Sequence, residues 1–133
     1  MNVKKIEGIG PGKAAKFAKV GIRTTERLLK EGATKRGRQE LAARTGISED
    51  LILEWVNLAD LLRVKGIGEE YSDLLEEAGM DSVKELRNRR ADHLHEALLK
   101  VNAAKRLVRR PPATSMVEDW IRQAKKLPPA VTH

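Results

Sequence analysis

Apolar side chains recur along this chain at helical spacing. Leu51, Trp55, Leu58 and Leu62 fall three and four residues apart, which marks one buried helical face. No stretch sustains the strict alternation of a strand. Turn and cap signals divide the rest. Pro11 suits the first turn of a helix, and Gly21 suits the cap that ends it. Thr24 or Thr25 opens a second helix, which runs to about Glu31 before Gly32. Thr34 and Ser48 are candidate caps for helices over 35–45 and 49–63. The second half gives helices over 69–78, 82–89, 92–107 and 115–126. Leu127-Pro128-Pro129 stops the last of these, and the tail to His133 is expected to be loose. The pattern predicts an all-α fold.

The two halves repeat. Ile6-Glu7-Gly8-Ile9-Gly10 matches Val64-Lys65-Gly66-Ile67-Gly68 at an offset of 58 residues. At the same offset Phe17 meets Leu75, Val20 meets Ala78, Gly21 meets Gly79, Ile22 meets Met80, Thr25 meets Val83 and Leu28 meets Leu86. Trp55 matches Trp120 at an offset of 65, so the second copy carries extra residues. These are assigned to the connection Arg109-Arg110-Pro111-Pro112, because Pro-Pro cannot sit inside a helix. The expected organisation is one compact domain, with copies over 1–63 and 64–127 related by a pseudo-two-fold axis around a shared core. Residues 128–133 form the tail.

The element with a mechanism is Gly8-Ile9-Gly10-Pro11-Gly12-Lys13. Glycines around one apolar residue permit a sharp turn and lack side chains that would hold a ligand away. Ile9 is expected to point inward. The helix that starts here presents free N–H groups and the positive end of its dipole, which suits an anion and phosphate above all. Pro11 removes one donor; Gly10, Gly12 and Lys13 keep theirs, and Lys13, Lys16 and Lys19 add charge along the helix. The second turn, Gly66-Ile67-Gly68-Glu69-Glu70, has the same backbone signals with carboxylates in the first helical turn. Asp73, Glu76 and Glu77 continue that negative face. It reads as structural or as a protein-docking surface.

Charge distribution sharpens this contrast. The 133-residue chain has 26 basic and 19 acidic residues and a net charge of +7, which favours a polyanionic partner. Residues 1–46 hold twelve basic and four acidic residues, 69–85 hold seven carboxylates and only Lys84, and 87–110 hold eight basic and two acidic residues. The ordinary source of such runs is a solvated face, but a sign change between two similar segments calls for more. Cysteine is absent, which excludes a disulfide framework, a thiolate metal site and an iron–sulfur cluster. No apolar run approaches the roughly 20 residues that span a bilayer, and none near Met1 suits a signal peptide. A cytoplasmic setting is expected.

Both glycine turns resemble the helix-hairpin-helix motif, which occurs in pairs in DNA repair and replication proteins. Leu62 to Gly68, with Ala78 to Leu86, is also similar to the C-terminal domain of the bacterial RNA polymerase α subunit. The chain from Ile6 onward most closely resembles a bacterial family known as domain of unknown function 4332. That resemblance rests on Ile6-Glu7-Gly8-Ile9-Gly10-Pro11, Thr45-Gly46-Ile47-Ser48, Glu54-Trp55-Val56-Asn57-Leu58-Ala59-Asp60-Leu61 and Val117-Glu118-Asp119-Trp120-Ile121. It implies a tandem helix-hairpin-helix fold and no particular activity. The first hairpin departs from the common form: so few residues precede it that its leading helix is at most one turn.

Other signals fare worse. Leu41 to Trp55 mimics a helix-turn-helix, with Ala42 and Gly46 at the turn, but its recognition face would present Ser48, Glu49, Asp50, Leu53, Glu54 and Asn57. Three carboxylates are a poor surface for a groove lined with phosphates. His93 and His95 lie two apart and diverge on a helix, so no metal site is expected. Glycosylases of the hairpin class place an aspartate about twenty residues beyond the hairpin, a window that here holds Glu26, Arg27 and Leu28. Only Phe17, Tyr71, Trp55 and Trp120 are aromatic, which disfavours base flipping and stacking on single strands. The reading is a non-enzymatic protein without cofactor. It binds nucleic acid independently of sequence through Gly8, Gly10, Gly12, Lys13, Lys16 and Lys19. The alternative is a protein-interaction adaptor, with Glu69, Glu70, Asp73, Glu76 and Glu77 as its surface.

Overall fold

Short polar side chains set where half of the helices begin. In the computed structural model, which describes residues 1–133, Thr24, Thr34, Ser48 and Ser82 each accept a hydrogen bond from a backbone N–H three residues on, at 3.1–3.3 Å. Such a bond satisfies one of the N–H groups a helix leaves unpaired at its start. The elements are α1 (Pro11–Lys19), α2 (Thr25–Glu31), α3 (Lys35–Thr45), α4 (Glu49–Leu61), α5 (Glu69–Glu77), α6 (Val83–Leu86), α7 (Ala91–Lys105) and α8 (Thr114–Lys126). A single 3-10 turn, Val3–Lys5, precedes α1. There is no strand, only an isolated bridge between Asn2 and Thr24.

The chain divides into two compact units, Met1–Asp60 with Ala130–His133, and Leu61–Pro129. In the first, Phe17, Ile22, Leu28, Ile52, Trp55 and Val56 are buried. Along α4 Trp55 and Leu58 of the expected stripe are buried, while its ends Leu51 and Leu62 are not, and Ile52, Val56 and Ala59 join the buried face. Leu51 is 36% exposed, and α4 ends before Leu62, which is half-buried. Both stripes have helical spacing; the one that starts at Ile52 brings β-branched Val56 and small Ala59 into the core. Asn57, which the rejected helix-turn-helix reading would expose, is buried and bonded to His133 Nε2 at 3.0 Å.

The tail is not loose. Arg38, 4% exposed, donates to the carbonyls of Gly32 (2.9 Å), Ala33 (3.2 Å) and Thr132 (2.7 Å). Thr132 N donates to Ala33 O at 2.8 Å, and Val131 is buried. Burial pushes the Arg38 guanidinium below its usual range, opposed by the charge of Glu49. A buried cation needs such partners, and the tail carbonyl supplies one that α2 and α3 lack.

The second unit packs Leu74, Leu75, Met80, Val83, Leu86, Leu94, Leu98, Val117 and Trp120 into its core. Its α6 is one turn long, shorter than the expected 82–89. The Asn88 amide donates to Lys84 O at 3.1 Å and takes the carbonyl that its own backbone N–H would use; that N–H turns to Glu85 O instead. The connection from Arg106 to Ala113, whose counterpart in the first unit is Gly46 to Ser48, is pinned by side chains. Buried Asn102 donates to Val108 O (3.1 Å) and accepts from Val108 N (2.9 Å). His95 Nε2 donates to Pro112 O at 2.9 Å, so in the neutral ring Nδ1 accepts from Thr114 Oγ1 at 3.3 Å. Tyr71 Oη donates to Arg110 O at 3.2 Å. No buried side-chain nitrogen or oxygen lacks a partner.

Two predictions follow from this packing. Trp120→Ala removes the largest fully buried side chain and is expected to cost about 3–5 kcal/mol in urea unfolding. A loss under about 1 kcal/mol contradicts the packing described. The second concerns Glu85. Burial, a hydrogen bond with Asp81 and the Asp81 charge hold its carboxyl above the usual range, against the pull of Arg89. A folded-state value above the unfolded one gives stability that is present below the unfolded value and lost as pH rises through the folded one. Asp81→Asn is therefore expected to gain stability over the wild type as pH rises from about 4 to 7. A gap independent of pH contradicts it.

Candidate nucleic-acid interface

The first turn is shaped by a tryptophan from α4. Gly8 has φ of +94°, a left-handed conformation that costs a side-chain-bearing residue about 1–2 kcal/mol. A Cβ there would lie 3.1 Å from Trp55 Nε1. Ile9 is buried beneath the turn, and its N–H donates to Ile6 O at 3.1 Å. Gly10 follows in an extended conformation, and α1 begins at Pro11 with no side chain capping it. The same arrangement occurs 58 residues on. Gly66 has φ of +98°, its Cβ would lie 3.0 Å from Trp120 Nε1, Ile67 is buried and donates to Val64 O at 3.1 Å, and uncapped α5 follows Gly68. Each helix ends alike: Ile22 N donates to Phe17 O, and Met80 N to Leu75 O.

Of the expected glycines, only Gly8 is required by the protein itself. Gly10 and Gly12 have ordinary negative φ, and a Cβ on either would meet nothing within 4 Å. Both are exposed at the start of α1. Lys16 lies four residues after Gly12 and Lys19 three further, so they form one exposed strip with half-buried Lys13 beside it. None of the three lysines is in an ion pair. Three of the four carboxylates in residues 1–46 are engaged elsewhere: Glu26 with the Met1 ammonium, Glu31 with Arg27 and Glu40 with Arg36. On the other side of Pro11 a groove of about 290 Å³ is floored by Val3, Ala14, Ala15 and Ala18 and lined also by Lys4 and Arg23.

The second turn keeps the backbone and changes the chemistry. At the places of Gly12, Lys13, Lys16 and Lys19 stand Glu70, Tyr71, Leu74 and Glu77. Tyr71 packs on Trp120 with centroids 5.3 Å apart, and Leu74 is buried. Nor is the expected acidic face uniformly open. Asp73 and Glu76 are half-buried, and Lys105 from α7 bonds Glu77. The Glu77 hydrogen bond, then the Glu77 charge, raise the Lys105 ammonium above its usual range. The carboxylates of Asp73, Glu76 and Glu77 converge to within 4.8 Å, but Lys105 already supplies their cation. Sequence reasoning had not paired Lys105 with Glu77, because nothing at a separation of 28 residues announces contact.

Fold and turns together define an all-helical protein whose two glycine turns share one set of backbone hydrogen bonds. The chain matches the model of a family described as a domain of unknown function (DUF4332) over residues 7–127, and it belongs to that family. No curated protein and no solved structure matches it.

The glycine geometry separates the glycines the turns require from those they do not. Gly8→Ala and Gly66→Ala are each expected to cost about 1–3 kcal/mol in denaturant unfolding, from strained φ and pressure on the indole. Gly10→Ala should stay within about 0.5 kcal/mol. Equal losses at residues 8 and 10 contradict this division.

Proposed function

We propose that this chain is a tandem helix-hairpin-helix module that binds nucleic acid, with DNA as the preferred form, by its phosphate backbone and without sequence readout. The contact is the first turn and the helix behind it. One observation carries the reading: glycines that the protein does not need, Gly10 and Gly12, open the uncapped start of a helix that bears three unpaired lysines. The N–H groups of Gly10, Gly12 and Lys13 would meet a phosphate, with Lys16 and Lys19 along the adjacent backbone. Gly8 serves by shaping the turn. The second turn, with Glu70 in place of Gly12 and Tyr71 in place of Lys13, is structural in this reading. The absence of cysteine suits a cytoplasmic setting. The module acts as a binder and not as an enzyme.

Weak affinity follows from so few contacts. A Kd of about 10⁻⁴ to 10⁻⁶ M is expected, with two to four phosphates at this turn contributing roughly −2 to −4 to the slope of log K against log salt. Lys13→Glu with Lys16→Glu should weaken binding to all sequences alike and flatten that slope. Gly10→Ala should weaken binding without loss of stability. A mobility-shift or anisotropy titration on duplex and single-strand oligonucleotides checks both. A chain that binds neither form at low salt leaves the protein-adaptor reading, with Glu69, Glu70, Asp73, Glu76 and Glu77 as its first candidate surface.

A further inference from the structure

The connection after α7 breaks a rule that its counterpart keeps. Helix α3 ends on Gly46, left-handed at φ +75°, whose N–H donates to Ala42 O at 2.9 Å. Helix α7 ends the same way at φ +51°, with an N–H donating to Asn102 O at 2.8 Å, but the residue is Arg106. It is the chain's sole non-glycine residue at positive φ. Glycine is the natural occupant of that cap, and arginine holds it under strain. A cap needs no guanidinium, so the turn itself gives no reason for arginine here.

The rest of the connection supplies the explanation. Its backbone is held at three points: Asn102 clamps Val108 from both sides, His95 holds Pro112, and Tyr71 holds Arg110. Val108 and Pro112 are buried. The side chains of Arg106, Arg109 and Arg110 are exposed and in no ion pair. Elsewhere in this unit the exposed arginines Arg89, Arg90 and Arg122 are each matched by a carboxylate within 3.5 Å. The connection is thus a fixed backbone with uncommitted cations, the reverse of a solvated charge run. Arg106 and Arg109 open on a cleft that Glu70 also lines. No aromatic ring lines that cleft, so nothing there stacks a base.

We propose that residues 106–110 form a second phosphate-backbone contact, in which Arg106, Arg109 and Arg110 engage successive phosphates of a nucleic acid. The assignment rests on the nucleic-acid reading above but not on the first hairpin. Guanidinium forks match phosphate oxygens in bidentate geometry, and a rigid backbone spares them the ordering cost of a mobile basic loop. The contact also gives the second unit a binding role that its own glycine turn lacks.

The test is fluorescence anisotropy of a labelled duplex with the full chain, at about 50 and 200 mM salt. Arg106→Gln, Arg109→Gln and Arg110→Gln combined should weaken binding roughly tenfold or more and reduce the salt slope by about 2 to 3. Unchanged affinity and slope overturn the second contact and leave the hairpin reading intact. If Lys13→Glu with Lys16→Glu has no effect while the arginine variant does, the hairpin reading fails and this one stands. No binding by the wild-type chain, or capture of polyglutamate in place of the oligonucleotide, overturns this contact. Arg106→Gly alone should raise Tm, since it relieves the left-handed strain, and should still lower affinity. A rise in Tm with affinity unchanged makes Arg106 a structural residue and overturns its role.

Discussion

The indole of Trp55 lies where a side chain on residue 8 would have to go, and the first turn depends on that contact. The turn can pass beneath the ring only because Gly8 takes a left-handed conformation without a Cβ. That conformation drives Ile9 into the core and leaves Gly10 extended, which fixes the start of α1 and the direction its free N–H groups face. Trp120 and Gly66 impose the same order on the second turn. In each unit a ring supplied by a distant helix decides where a short helix begins. Chemistry at the turn is therefore free to vary as long as the ring and the glycine stay. The second turn shows how far: lysines give way to Tyr71, Leu74 and Glu77 over an unaltered backbone.

Most of the fold was legible because its signals are local. Threonine and serine caps, Pro11 and the helix-ending glycines act over three or four residues, and they set helix boundaries to within a residue or two in most places. The repeat was legible because Gly-Ile-Gly is rare enough to align on. What escaped was decided by tertiary partners. Leu51 and Ile52 offer rival stripes on one helix, and only the core chooses between them. Asn88 cuts α6 short through a side-chain bond that competes with the backbone. Val131 and Thr132 carry no helix or turn signal, and it is Arg38, far away in sequence, that takes the Thr132 carbonyl as its third acceptor. The left-handed Arg106 was invisible, since arginine carries no sequence signal for positive φ.

The candidate interface divides along the same line. Counting charges separated the basic first turn from the acidic second one, and the free glycines and lysines stand where that count put them. Counting could not tell paired charge from unpaired. Lys105 meets Glu77, while Arg106, Arg109 and Arg110, in the same basic run, meet nothing. Only unpaired charge becomes surface potential, because a matched exposed pair leaves little field for a ligand to feel.

Arg38 has one more implication, for how the chain comes together. The first unit is discontinuous: its last hydrogen bonds reach to Thr132, across the whole of the second unit. Within that second unit Arg63 donates to Pro128 O at 2.8 Å, so its entry and exit strands of chain lie side by side. The second unit is thereby an insertion whose ends are tied together, and once folded it replaces a loop of nearly seventy residues by a span that one arginine side chain bridges. The entropic cost of seating the tail on Arg38 falls accordingly. The last contact of the first unit is therefore easiest to make once the second unit has folded.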